Sequence, residues 1–114
     1  MKKIKTLKKN YEFDHVLNQG KFYIGKQITI YITKNRKEEN RIGIAISSKK
    51  YNAVKRNFLK RKIRENYRLL EKQLATGYNI VFLWNKKVPV EKADFFLIQK
   101  DMKDSFFRAG ILIK

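Results

Sequence analysis

Two periodicities divide the chain. From Gln27 to Lys34 polar and apolar positions alternate: Ile28, Ile30 and Ile32 point one way and Thr29, Tyr31 and Thr33 the other, as on a half-buried strand. Arg41–Ser47 repeats the pattern, with Ile42, Ile44 and Ile46 set against Gly43, Ala45 and Ser47. The polar stretch Asn35–Asn40 lies between them, so the two strands read as a hairpin whose isoleucines share one core face. Asn79–Trp84 is almost unbroken apolar sequence, as expected of a central strand buried on both faces. A further short strand is predicted near Lys21–Ile24, with Gly25 as a turn or bulge.

Three other segments carry helical spacing. The first runs from Asn10, a plausible N-cap, through Asn18 to a stop at Gly20, with Phe13, Val16 and Leu17 as its apolar face. The central one runs from about Asn52 to about Ala75 and stops at Thr76-Gly77. At roughly 100° per residue its Leu59, Ile63, Tyr67, Leu70 and Leu74 fall in one stripe. The last spans Glu91–Ala109, after a loop (Asn85–Val90) holding the only proline, Pro89, and ends at Gly110. Its core stripe is Phe95, Ile98, Met102, Phe106 and Ala109, with Phe96 and Phe107 packing at the margins. Strand–helix–strand over residues 41–84 implies two parallel strands. The fold class is α+β: a single-domain sandwich over 1–114, a mixed sheet of about four strands with helices packed on it. Residues 1–9 form a basic, loose start.

Charge narrows the partners. The 114 residues carry 28 Lys+Arg against 10 Asp+Glu, a net charge of +18, while 43% are hydrophobic. Such a chain has enough apolar residues for a core, and its excess charge calls for a polyanion: nucleic acid, an anionic membrane or an acidic protein. No apolar run approaches the roughly twenty residues of a membrane span, and no signal-peptide segment follows Met1, so a cytoplasmic location is expected. There is no cysteine and one histidine, His15, read as a surface residue, which excludes cysteine and multi-histidine metal sites. The acids are scattered and no glycine-rich phosphate loop occurs. No residue is assigned a catalytic role, and the pattern specifies no metal ligand.

Two surfaces are candidates for binding. On the central helix Asn57, Lys60, Arg61, Arg64 and Arg68 gather within about a third of the circumference, with only Glu71 near them as a counter-charge. A rigid row of donors suits a row of phosphates, although a merely solvated basic face has the same pattern. The second is the polar face of the hairpin, where Tyr31 would lie in a shallow trough beside Gly43, Ala45 and Ser47. Bases of a single strand stack on such a ring, and Lys8 and Lys9 could reach the backbone. Alternatively the first helix buries this face. Both hold if Phe13 and Leu17 form one wall of a cleft.

Ser48-Lys49-Lys50-Tyr51-Asn52-Ala53-Val54-Lys55-Arg56-Asn57-Phe58-Leu59-Lys60-Arg61-Lys62-Ile63-Arg64-Glu65 resembles the signature of the bacterial ribonuclease P protein component. Leu7-Lys8-Lys9-Asn10 leading to Phe13, the Ile-Gly-Ile strand and the apolar strand after the helix also fit that family. Two departures stand out: Phe58 replaces an arginine, and Tyr51 abuts Asn52 without a glycine, shortening the turn. The resemblance implies the protein subunit of ribonuclease P, the endonuclease that removes the 5′ leader from precursor tRNA. In that family a large RNA subunit performs the hydrolysis with bound Mg2+, held mainly by the RNA. It implies a left-handed β-α-β crossover, contrary to the usual hand. It also implies contact with the RNA subunit by Lys49, Lys50, Asn52, Lys55, Arg56, Asn57, Lys60, Arg61 and Arg64, to which the helical projection adds Arg68. The leader would lie against Phe13, Leu17, where the family often has an aromatic, and Tyr31, with Lys8, Lys9 and Thr29 beside them. No membrane and no further protein partner is required.

The runner-up is a ribosomal or other structural RNA-binding protein, which shares the charge and size but needs no open cleft at Tyr31. A DNA-binding module using the central helix in a groove is a third class. The apolar stripe of that helix and the lack of a helix-turn-helix partner count against it.

Overall fold

The computed structural model describes residues 4–113. Its elements are α1 (Asn10–Gln19), β1 (Lys21–Ile24), β2 (Ile28–Lys34), β3 (Arg41–Ala45), α2 (Ala53–Leu70), β4 (Tyr78–Trp84) and α3 (Phe95–Arg108), with 3-10 turns at Glu71–Gln73 and Val90–Lys92. The four strands form one mixed sheet in the order β1-β2-β4-β3. β1 and β2 are antiparallel, as are β2 and β4, whereas β3 and β4 are parallel and joined through α2.

That order corrects the expected hairpin. β2 and β3 do not pair; β4 lies between them, with Tyr31 opposite Val81 and Val81 opposite Gly43. The most apolar strand takes the centre because only there are both its faces covered. The polar stretch between β2 and β3 therefore spans the end of β4, and its asparagines hold that end. Asn40 Oδ1 accepts from the Tyr78 N–H at 2.9 Å and its Nδ2 donates to the Ala75 carbonyl at 2.9 Å. Asn35 Nδ2 donates to Asn79 Oδ1 at 2.9 Å.

One face of the sheet carries Ile28, Ile30, Ile32, Ile42, Ile80, Phe82 and Trp84 into a core closed by Leu59, Ile63, Tyr67 and Leu70 of α2 and Ile98, Met102 and Phe106 of α3. The Phe82 ring meets Tyr67 and Phe106 edge-on at 5.9 and 6.3 Å, so one strand residue locks both helices to the sheet. The isoleucine rows and the α2 stripe from Leu59 to Leu70 thus face the core as the periodicity predicts; Leu74 is buried too, but in extended backbone beyond the end of the helix. The opposite face holds a smaller cluster of Leu7, Val16 and Val81, flanked by Phe13, Leu17, Tyr31 and Ala45, under α1.

Several boundaries differ from the expected ones for local reasons. α1 begins at Asn10 rather than being capped by it, because the Glu12 carboxylate reaches back to the Lys9 N–H at 3.0 Å. α2 ends at Leu70: Leu74 leaves to bridge Leu112, and the Ala75 N–H goes to the Ile111 carbonyl at 2.7 Å. Gly77, at φ +98°, then turns the chain into β4 in a conformation costly for any residue with a Cβ. α3 starts at Phe95, where Asp94 accepts from the N–H groups of Phe96 and Leu97, four residues later than expected. Gln27 pins that turn, donating to the Lys92 carbonyl at 2.8 Å and accepting from the Asp94 N–H at 2.9 Å. Phe96 and Phe107 do not pack at the margins: they are 74% and 72% exposed. The start of the chain is not loose where it is described. Leu7 donates to the Ile42 carbonyl and Ile42 to that of Lys5, at 2.8 and 3.0 Å, extending the sheet beyond β3. Residues 1–3, the rest of the basic start, lie outside the described residues.

Candidate nucleic-acid interface

The face of the sheet under α1 is covered on one side only. Along α1, Val16 is fully buried in the cluster with Val81, and Phe13 lies over Gly43, where a Cβ would run into its ring. Glycine at 43 is thus a condition of the close approach of α1 to β3. The trough expected beside Gly43 is consequently filled by Phe13, and the neighbours of Tyr31 on β4 are Val81 and Leu83. The open part lies on the other side, toward β1. There Phe22 and Ile24 are 57% and 67% exposed and Tyr31 is half-buried. Phe22 and Tyr31 are cross-strand partners whose ring centroids are 5.7 Å apart at 35°. Two rings side by side offer a larger platform than the single one expected, with Thr29 in the next row. The sequence reading missed Phe22, because the four residues of β1 are too few to show which face each occupies.

Lys8 and Lys9 are exposed at the start of α1. The Glu12 carboxylate fixes them there, accepting from the backbone N–H of both, at 3.1 and 3.0 Å. Those donors, Lys9 first, hold its carboxyl below the ordinary glutamate range, and Arg41 at 3.9 Å adds to the effect. An open groove continues from these lysines and Tyr11 to Lys37 and Arg41, lined by Glu12 and Glu39 as well. Phe13 and Leu17 are half-buried and Phe13 is committed to Gly43, so they serve as a wall rather than an exposed stack.

On the opposite face of the sheet, α2 presents Lys55, Asn57, Arg61, Arg64 and Arg68 to solvent, with Lys60 half-buried among them. Among the described residues the ion pairs are Arg41 with Glu12 and Glu39, and Arg108 with Asp104, so the α2 cations keep no protein counter-ion. The helix starts at Ala53 because Asn52 caps it, its Oδ1 accepting from the Lys55 N–H at 2.9 Å. Arg56 donates to the Tyr51 carbonyl at 2.7 Å, and Tyr51 is buried. The shortened turn is thus closed by a tyrosine anchored in the core and tied by an arginine. Asn52 and Arg56, both assigned to RNA contact by resemblance, have their first task in building this turn. Phe58 stays 42% exposed, away from the cationic row, with Lys62 Nζ 4.9 Å above its ring.

Lys49 and Lys50 occupy the loop between β3 and α2 and are exposed. Lys50 Nζ donates to the Lys86 carbonyl. Parallel strands end on the same side of a sheet, which brings the loop after β3 beside the loop after β4. Exposed Lys86 and Lys87 therefore join Lys49 and Lys50 in one cationic corner. The Lys86-Lys87 pair is visible in the sequence, but its place depends on strand order. The two predicted surfaces thus occupy opposite layers, and this corner links them around the ends of β3 and β4. Among the described residues no three His, Asp or Glu side chains converge, and the buried carboxylate of Asp101 accepts from the N–H groups of Lys26, Gln27 and Ile28. No helix among the described residues is long and apolar enough to cross a membrane.

A basic α+β protein with an aromatic platform on one face and a row of unpaired cations on the other is a nucleic-acid-binding protein. The family model for ribonuclease P matches residues 1–110. The ribonuclease P protein component of Clostridioides difficile is 38% identical over 96% of this chain and 95% of that protein. The one from Clostridium botulinum is 45% identical over 68% of this chain and 70% of its own length. The chain belongs to the family of ribonuclease P protein components, the protein part of an RNA-processing endonuclease. Solved structures agree: the RNase P protein of Staphylococcus aureus superposes with a TM-score of 0.80 at 27% identity, covering 96% of this chain and 99% of that one. The Thermotoga maritima protein gives 0.79 at 26% identity, covering 91% and 96%.

Proposed function

We propose that this chain is the subunit that binds the catalytic RNA of ribonuclease P through α2 and the single-stranded 5′ leader of precursor tRNA on the Phe22–Tyr31 face. Hydrolysis belongs to the RNA subunit, which also holds the magnesium. The protein's part is binding. Lys55, Asn57, Lys60, Arg61, Arg64 and Arg68 engage phosphates of the RNA subunit, with Lys49 and Lys50 at the corner. Asn52 and Arg56 hold the turn that presents them. Leader bases stack on Tyr31 and Phe22 beside Thr29, with Phe13 and Leu17 as the wall and Lys8 and Lys9 near the backbone. Because only the precursor has a leader, contacts made to it favour substrate over product. Cytoplasmic work fits these partners.

The observation that carries this reading is the pair of adjacent rings left open beside α1, on the layer opposite the basic helix. One protein can then face two RNAs at once. The experiment is reconstitution with the matching RNA subunit and magnesium, then binding of precursor and mature tRNA. The expected result is tighter binding of the precursor by the complex than by the RNA subunit alone, with mature tRNA unaffected. Equal effects on both RNAs would remove the leader from the protein.

A further inference from the structure

The outward face of α3 carries a feature that neither RNA surface uses. Phe96 and Phe107 are large rings that no core explains, 74% and 72% accessible, on a helix whose other side is buried. Eleven residues apart, they lie about 20° from each other around the axis and about 16 Å apart along it. Lys100 and Lys103 lie between them on the same stripe, both exposed. Phe96 is propped edge-on by Phe95 at 5.5 Å. Phe107 lines an open groove with Lys100, Lys103 and Leu112. The one acid there, Asp104, is already paired with Arg108 at 3.1 Å.

We infer that this stripe is a second binding site for single-stranded RNA, each ring taking one unpaired base while the backbone passes over the two lysines. Charge decides among occupants. A protein partner would have to bury Lys100 and Lys103 to reach both rings, and interface cores are depleted in lysine. A second copy of the chain would set its own lysines against these. A polyanion is attracted by the same two charges, and its bases supply planar faces to stack on the exposed rings. The rings are too far apart for one base to span, which makes the ligand a strand rather than a nucleotide.

The site is independent of the leader platform and is tested with that platform removed. A fluorescein-labelled dodecamer of oligoadenylate is titrated into the full chain carrying Phe22→Ala and Tyr31→Ala, with and without Phe96→Ala and Phe107→Ala. The second pair should weaken binding about tenfold, the worth of one stacked base at the lower end. Lys100→Ala with Lys103→Ala should weaken it and flatten its salt dependence. A photoreactive benzoylphenylalanine in place of Phe107 should crosslink to the dodecamer. Since these side chains are exposed, thermal melts should be unchanged. Unchanged affinity, or crosslinking to a second copy or another protein in place of RNA, would overturn the assignment.

Discussion

Tyr31 and Phe22 are neighbours on one face, but they differ in what they hold up. Phe22 leans on an edge strand and is mostly exposed, whereas Tyr31 is half-buried against the α1 cluster. Phe22→Ala should therefore weaken binding of precursor by the reconstituted complex and leave the melting temperature nearly unchanged. Tyr31→Ala should weaken it by a similar factor, about tenfold, and also lower the melting temperature somewhat. Mature tRNA should bind each variant as it binds the parent. If either substitution costs mature tRNA as much affinity as precursor, the ring supports the fold and no base. A second residue, Tyr67, makes a prediction about pH. It is fully buried, with the side chains of Asn40 and Glu71 beside its hydroxyl. Burial, with the Glu71 carboxylate nearby, pushes its phenol well above the ordinary 10.0. Below that pH both folded and unfolded chains keep the proton, and the contribution to stability is whole. Above it the unfolded chain releases the proton first, so stability falls as pH rises toward the folded value. Tyr67→Phe should remove this fall, seen as a flatter melting temperature between about pH 9 and 11. Parallel curves for the two proteins would show that Tyr67 does not titrate with unfolding.

At the scale of elements, α2 is the rigid carrier of charge. Lys60→Ala, Arg61→Ala and Arg64→Ala together should weaken binding to the RNA subunit strongly. Each lost phosphate contact should also flatten the slope of log K against log salt by up to about 0.9. The measurement is a binding isotherm at several salt concentrations; an unchanged slope would make this a solvated face. The helix itself was readable in the sequence, since Leu59, Ile63, Tyr67 and Leu70 repeat at helical spacing and no residue from Asn52 to Ala75 is glycine or proline. So were the isoleucine rows and the parallel relation of β3 and β4. The partner of each strand was not. An alternating pattern shows which face is buried but not what lies beside it, and Ile28–Ile32 would suit Ile42–Ile46 as well as Ile80–Trp84. Knowledge of β1 was limited in the same way, which is why Phe22 and its contact with Tyr31 came only from the register. Lys86 and Lys87 depended on strand order too.

The molecule as a whole carries +18 and spends little of it internally. With no acid–base constellation apparent, RNA-free protein should leave precursor tRNA intact. Adding the matching RNA subunit and magnesium should restore cleavage at the 5′ end of the mature sequence. Specific leader removal by protein rigorously freed of RNA would refute this division of labour. The sheet order has a consequence in time. β4 is the last strand to be synthesised and lies between β2 and β3, so β2 has only β1 beside it, and β3 lacks its neighbour in the sheet, until Trp84 has left the ribosome. Until then the alternating patterns of two isoleucine-rich strands would suit a β2–β3 hairpin, a pairing that the native sheet does not contain. Long-range strand pairing of this kind slows folding and exposes sticky edges, while the mutual repulsion of so many lysines and arginines keeps neighbouring nascent chains apart. A chain ended before Tyr78 should show no cooperative melt, and a folded sheet in that fragment would mean β2 and β3 pair on their own. The strand order thus ties the two RNA surfaces together in time: the layers that carry them are joined through β4, and neither is complete before it is in place.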